Sequence, residues 1–243
     1  MTAVFPSLKG ASVFITGGGS GIGAALVAGF LEQGAKVAFA DLADAAQNPD
    51  AMFLPCDVTD IAALTIAMEK AAAAHGPITV LVNNAANDMR YFIDEITPEI
   101  WDSQQAVNFK HYFFASQKAA AGMEAGGAII NFSSITYAMG IDGMAPYVSA
   151  NAGIMGLTRA MARELGPRSI RVNAIAPGWV LTEKQREKWA TEESLSAFLD
   201  KQSLKTHIQP QDLIGPVLFL ASDASAMITG QTIAVDAGVV NFG

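Results

Sequence analysis

The sequence predicts an α/β fold, one domain on a doubly wound parallel sheet of about seven strands. Three observations lead there. Short apolar runs rich in Val, Ile and Phe alternate with longer Ala-rich helical stretches, the pattern of buried parallel strands joined by crossover helices. A glycine-dense turn follows the first strand run and opens the first helix. The 243 residues, 51% hydrophobic and only 16% charged, suit one large domain with a substantial core.

Taken in order, strands are expected at 12–16 (SVFIT), 36–40 (KVAFA), 51–54 (AMFL), 78–83 (ITVLVN), 128–132 (AIINF), 170–175 (IRVNAI) and 231–235 (QTIAV). Helices are expected near 21–33, 60–75, 98–123, 146–165 and 210–222. Gly34, Gly76 and Gly166 sit just past helix ends, where glycine adopts left-handed backbone cheaply; Pro77 and Pro167 follow the latter two. Residues 182–209 (TEKQREKWATEESLSAFLDKQSLKTHIQ) break the rhythm, being polar, helix-prone and strandless. Falling between the last two strands, they are expected to form a helical lid within a single domain spanning 1–243.

The net charge of −8, with no large Lys or Arg cluster, argues against nucleic acid as a partner. The run KQREK at 184–188 is read as a solvated helix face rather than an anion site. Cys56 stands alone and cannot form an internal disulfide, which fits a reducing compartment. No apolar run reaches the roughly 18 residues of a membrane span. The N-terminal stretch lacks the order of a signal peptide, so no membrane association and a cytoplasmic location are expected. His, Cys and carboxylates show no ligand spacing, so no metal is expected.

Residues 12–23 read SVFITGGGSGIG, a strand running into a glycine turn and then a helix. Glycines let the turn tighten and let backbone approach a pyrophosphate, which then sits at the positive end of the helix. This is the dinucleotide signature of a Rossmann-like fold. Asp41 ends the second strand 41 − 23 = 18 residues after Gly23; a carboxylate there accepts both ribose hydroxyls and repels a 2′-phosphate, so NAD is expected over NADP. Ser20 brings no basic group to the turn. Asp57 can reach the adenine edge or cap the helix near residue 60.

Across essentially its whole length the chain resembles the short-chain dehydrogenase/reductase family. TGGGSGIG at 16–23 matches the cofactor turn, NNAA at 83–86 the end of the fourth strand, and Asn108 in AVNF the helix asparagine of the proton relay. Ser134 in NFSS precedes Tyr147 by 147 − 134 = 13 residues, and PGWVLT at 177–182 and VDAG at 235–238 complete the set. The resemblance implies Tyr147 as acid/base and Ser134 orienting the substrate oxygen. It implies Asn108 and residue 151 as further relay members, and Thr182 holding the nicotinamide amide. The dinucleotide would then lie along Gly17, Ser20, Gly21, Ile22, Gly23, Asp41, Asp57, Val58, Asn84, Ala85, Tyr147, Asn151, Pro177, Gly178, Val180 and Thr182. The resemblance breaks at position 151: a lysine is expected one helical turn after the tyrosine, and this chain has Asn151. That lysine lowers the pKa of a phenol whose ordinary value is about 10. Arg90, or less readily Lys110, is a candidate to replace its charge.

Within the family, NDMR at 87–90 and TEKQREKW at 182–189 resemble bacterial aldose 1-dehydrogenases, which oxidise sugars to lactones. Asn87, Asp88, Arg90, Ser134, Tyr147 and Trp179 are the expected sugar contacts, with the lid adding more. A hemiacetal hydroxyl is more acidic than a simple alcohol, which suits a weaker base. The alternatives are another polyol or secondary-alcohol dehydrogenase, an enzyme impaired by the Lys→Asn difference, and a dinucleotide-binding protein without turnover. Small residues on 146–165, with helix 98–123, resemble the family's paired-helix seam and imply a homotetramer.

Overall fold

The computed structural model describes residues 3–43, 48–123 and 126–240. The ends of the expected 1–243 span, including the first two residues of the N-terminal stretch, lie outside the described residues. The described strands form one parallel sheet in the order β3-β2-β1-β4-β5-β6-β7. They are β1 (Ser12–Thr16), β2 (Lys36–Asp41), β3 (Met52–Pro55), β4 (Val80–Asn83), β5 (Ala128–Phe132), β6 (Arg171–Pro177) and β7 (Thr232–Val235). The order reverses between β1 and β4, which opens a crevice at the strands' C-terminal ends. In β1 and β4, Thr16 pairs with Asn83 in register, so the glycine turn and the NNAA segment emerge side by side.

Alternation along each buried strand feeds two apolar layers. Val13, Ile15, Val37 and Phe39 pack with Leu26, Val27 and Phe30 of α1 (Gly21–Glu32) and with Val217 and Leu218 of α9 (Ile214–Ala221). Phe14, Ala38 and Ala40 face the other way, onto Leu64 and Met68 of α2 (Ile61–His75), Ala115 and Ala119 of α4 (His111–Gly122), and Met161 of α6 (Ala145–Leu165). A buried polar ladder crosses the second layer. Asn83 donates to Asn131 (2.9 Å) and Ser116 (3.0 Å), and Asn131 donates to Thr158 (3.0 Å). It locks β4, β5, α4 and α6 into one register beneath the crevice.

Several expected boundaries shift. The stretch 98–123 is not one helix: α3 (Pro98–Gln105) passes into a π-turn at Ala106–Lys110, then α4. A π-bulge inserts a residue into the helical ladder and commonly marks a functional position. Here it contains Asn108. A short α5 (Thr136–Met139) goes unsignalled by the sequence. The last helix divides into a 3-10 turn, Pro210–Leu213, and α9. Gly34 and Gly76 take positive φ (76° and 91°), but Gly166 stays helical at −53° and the left-handed residue is Ser169 at 55°. Glycine lacks the Cβ that pushes a residue preceding proline out of helical space, so Gly166-Pro167 continues into a 3-10 turn. Between β6 and β7 the chain folds as α7 (Glu183–Lys188) and α8 (Glu192–Lys201). Among the described residues no helix is long and apolar enough to cross a membrane, and no group of three His, Cys, Asp or Glu can hold a metal.

Candidate active site

The strand ends converge on one cavity of about 890 Å³. At one end lies the glycine turn. Gly17 (φ 73°) hydrogen-bonds back to Ala40 O, and Asn84 from the neighbouring strand end donates to Thr16 O (3.1 Å) and Gly17 O (2.9 Å). Thr16 Oγ1 accepts from the backbone N–H groups of Asn84 and Ala85. A Cβ on Gly23 would stand 1.8 Å from Gly17 O, and one on Gly19 2.0 Å from Ala43 O, so both positions require glycine. Ser20 N-caps α1 without a side-chain hydrogen bond, which leaves the first-turn N–H groups available to an anion.

Asp41 lies against this turn. Its Oδ2 accepts from Gly19 N (2.8 Å) and its Oδ1 from Leu42 N (2.7 Å). Of the two carboxylates after β3, Asp60 is the helix cap, accepting from Ala62 N and Ala63 N; Asp57 instead accepts from Thr59 N and Oγ1. Asp57 and Val58 line the cavity, as do Gly17, Ser20, Gly21, Ile22, Gly23, Asn84, Ala85, Pro177, Gly178, Val180 and Thr182. Thr182 N-caps α7 by accepting from Gln185 N (3.2 Å), and its methyl would stand 3.1 Å from a Cβ on Gly21.

The other end holds Ser134, Tyr147 and Asn151. Ser133 Oγ donates to Asn151 O (2.9 Å), fixing α6 to the end of β5. Asn151, 3% exposed, donates from Nδ2 to Tyr147 O (2.9 Å), the carbonyl one turn back. Burial, and then the charge of Asp88, pushes the Tyr147 phenol up to about 12; hydrogen bonding by Asn151 and Ser134 pulls the other way. Neither candidate cation offsets this. The Arg90 guanidinium lies 4.2 Å over the Trp189 ring, and Lys110 is exposed and away from the cavity wall.

Asn108 is buried and fully engaged. It accepts from Asn87 N (2.7 Å) and donates to Asn87 O (3.0 Å) and Gln104 Oε1 (3.2 Å). Asn87 is not among the residues that line the cavity. The clamp on its backbone instead fixes the loop that presents Asp88 and Arg90 to the cavity. Next to it, His111 is wholly buried with Nε2 3.1 Å from Ala85 O, and burial lowers its pKa to about 4, so it is neutral and structural.

The α7–α8 segment closes the wall with contacts that the sequence does not signal. Lys184 Nζ pairs with Asp88 Oδ1 (2.7 Å), and Gln185 donates to Asp88 Oδ2 (2.5 Å) while accepting from Trp179 Nε1 (2.8 Å). Burial pushes the Asp88 carboxyl up, but the Lys184 ammonium and the Gln185 hydrogen bond outweigh it and hold Asp88 below the usual carboxylate range. Phe198 of α8 meets Trp179 edge-on at 5.4 Å. The 184–188 run is thus only partly a solvated face: all but the half-buried Gln185 are exposed, yet Lys184 pairs with Asp88 and Arg186 donates to Gln209. The sequence alone cannot show that Lys184 and Asp88, 96 positions apart, meet.

Residues 17–240 match the family described as enoyl-(acyl carrier protein) reductase. The chain is 46% identical over 248 residues, 97% of each protein, to a probable galactose dehydrogenase of Rhizobium meliloti. It is 44% identical over 250 residues, 98% of each protein, to the D-xylose 1-dehydrogenase of Caulobacter vibrioides. Among solved structures, a blue fluorescent protein from a metagenomic library, in complex with NADPH, superposes with a TM-score of 0.88 at 31% identity, covering 97% of this chain and 100% of that one. The chain belongs to the short-chain dehydrogenase/reductase family, oxidoreductases that bind nicotinamide cofactors and act on small molecules.

Proposed function

We propose that this protein is an NAD-dependent aldose 1-dehydrogenase that oxidises the C1 hydroxyl of a sugar to a lactone. The observation that carries the reading is the single cavity joining the glycine turn and Asp41 to Ser134 and Tyr147, with a polar outer wall. The turn fits a dinucleotide: its glycines are required by close backbone approach, and the first N–H groups of α1 have no side-chain cap. The dinucleotide, when bound, supplies the hydride acceptor. Ser134 holds the sugar oxygen and Tyr147 takes its proton. Asn108 acts through the loop it clamps, and Asn151 supports the phenol as a neutral donor. Two relatives named for galactose and xylose support an aldose.

Asp41 supports NAD, since a carboxylate beside Gly19 N would repel a 2′-phosphate, although one structural relative is in complex with NADPH. A neutral sugar fits better than an acidic one, because Lys184 is paired with Asp88 and Arg90 lies on Trp189. Residues 182–209 act as the lid. Trp101 and Phe113 are exposed on α3 and α4 and support pairing into a homotetramer. The cytoplasm is the proposed location.

The high Tyr147 pKa with no cation beside it favours a second reading, a protein that binds NAD but turns over slowly or not at all. One assay separates them: reduction of NAD or NADP followed over a panel of aldoses, polyols and secondary alcohols, with Tyr147→Phe as control. Turnover confined to aldoses with NAD, and lost in the control, supports the proposal. Tight NAD binding without turnover on any substrate sinks it.

A further inference from the structure

We infer that Lys184 is a positioning residue of this site: its ion pair with Asp88 latches α7 over the cavity and offsets part of the carboxylate's charge at the phenol end, so that Tyr147 exchanges its proton with substrate fastest while the segment is shut. The proton-transfer half rests on the dehydrogenase reading; the latch does not.

The geometry is specific. Asp88 stands on the loop after β4, held by the Asn108 clamp on its neighbour Asn87, and lines the cavity that contains Tyr147 and Ser134. Both carboxylate oxygens are taken by consecutive residues of α7: Oδ1 by Lys184 at 2.7 Å and Oδ2 by Gln185 at 2.5 Å. Gln185 also holds Trp179, and Arg90 on the same loop covers Trp189 at the end of α7. Three contacts therefore join one loop to one helix.

The pair is not primarily a source of fold stability. Its side chains are 43% and 22% exposed, and such pairs contribute little because solvent screens them. Its effect is on the local field. Asp88 is the carboxylate whose charge works against ionisation of Tyr147, and Asn151 offers no charge of its own to oppose it. Other ionisable groups facing this end are Arg90 on the Asp88 loop, Glu183 and Glu187 on α7, and Tyr112 on α4; Cys56, Asp57 and Asp41 line the cavity after β3 and β2. Arg90 is stacked on Trp189, so Lys184 is the ammonium seated directly on Asp88. A cation that arrives with the segment ties the rate of proton transfer to closure, where one fixed on α6 would not.

The test uses the full-length protein with Lys184→Gln, Asp88→Asn, the double variant, and Lys201→Gln as an exposed control on α8. Tryptic cleavage at Arg186 and Lys188 reports the latch without any turnover. It should rise several-fold in both single variants and stay at the parental rate in the control. The pH profile of kcat/KM for aldose oxidation reports the field. Its inflection should move up by about one unit in Lys184→Gln and down by a similar amount in Asp88→Asn, with the double variant following Asp88→Asn. A merely structural latch would move both single variants the same way. Unchanged cleavage overturns the latch, and shifts of equal sign overturn the electrostatic role. If no protein turns over while NAD still binds, the dehydrogenase reading and the proton-transfer half fall together, and the cleavage rates alone decide the latch.

Discussion

An Asn151→Lys exchange places an ammonium one helical turn from Tyr147, on the same face of α6 and against the cavity wall. In the parent the phenol is pushed up to about 12 by burial and by Asp88. At pH 8 the deficit is 12 − 8 = 4 units, so about one phenol in 10⁴ is ionised before the positive nicotinamide adds its own effect. An adjacent cation lowers such a pKa by about 1–3 units, which raises the phenolate fraction roughly 10- to 1000-fold. The assay is kcat/KM for aldose oxidation from pH 6 to 10, with NAD affinity measured in parallel by calorimetry. The limb that rises with pH should shift to lower pH by that amount and the neutral-pH rate should rise with it, while NAD affinity changes much less. If the two profiles overlay while NAD binding stays intact, Tyr147 ionisation does not limit the reaction and the reasoning fails.

The remaining predictions concern the fold and the cofactor end. His111 is neutral when buried, with a pKa near 4, but takes a proton at about 6.5 once unfolded; stability is therefore complete above pH 6.5 and falls as pH drops toward 4. Between pH 7 and pH 5 the loss is about 2 kcal/mol, and urea melts of His111→Gln should lack that component. Asp41→Ala should weaken NAD binding about tenfold and narrow or reverse the preference over NADP; retained selectivity would show that Asp41 does not set it. Arg171→Leu should cost about 3 kcal/mol by stranding the acceptors at the end of α9, and lower Tm by roughly 6–12 °C in a thermal melt. In the native chain that buried guanidinium donates to Leu220 O, Ala221 O, Ser222 O and Ser225 Oγ. Gly23→Ala forces a Cβ to within 1.8 Å of Gly17 O, so calorimetry should find NAD binding abolished; near-parental affinity would mean the turn can widen.

The sequence by itself determined the layers and the glycine turn. Alternation of apolar residues in SVFIT and KVAFA fixes which side chains enter which layer, because strand periodicity is a local property. The glycine turn is partly local: Gly17 takes positive φ and a Cβ on Gly23 would meet Gly17 O, whereas a Cβ on Gly17 would meet Ala85 at the end of β4. Ser134, Tyr147 and residue 151 were legible through the family resemblance; Ser134 follows β5 by two residues, and 147 and 151 share a face of α6. Tertiary structure decided the rest. The π-turn at Asn108 and its clamp on the Asn87 backbone depend on how α3 and α4 meet the loop after β4, which carries Asp88 and Arg90 to the cavity. Arg90, a candidate to supply the missing charge, turned out to rest on Trp189, since a long cationic side chain settles on whatever surface packing brings near it. Lys184 reached Asp88 because the segment between β6 and β7 folds across the strand ends. The pair joins residues 96 positions apart, so only the assembled sheet brings them together.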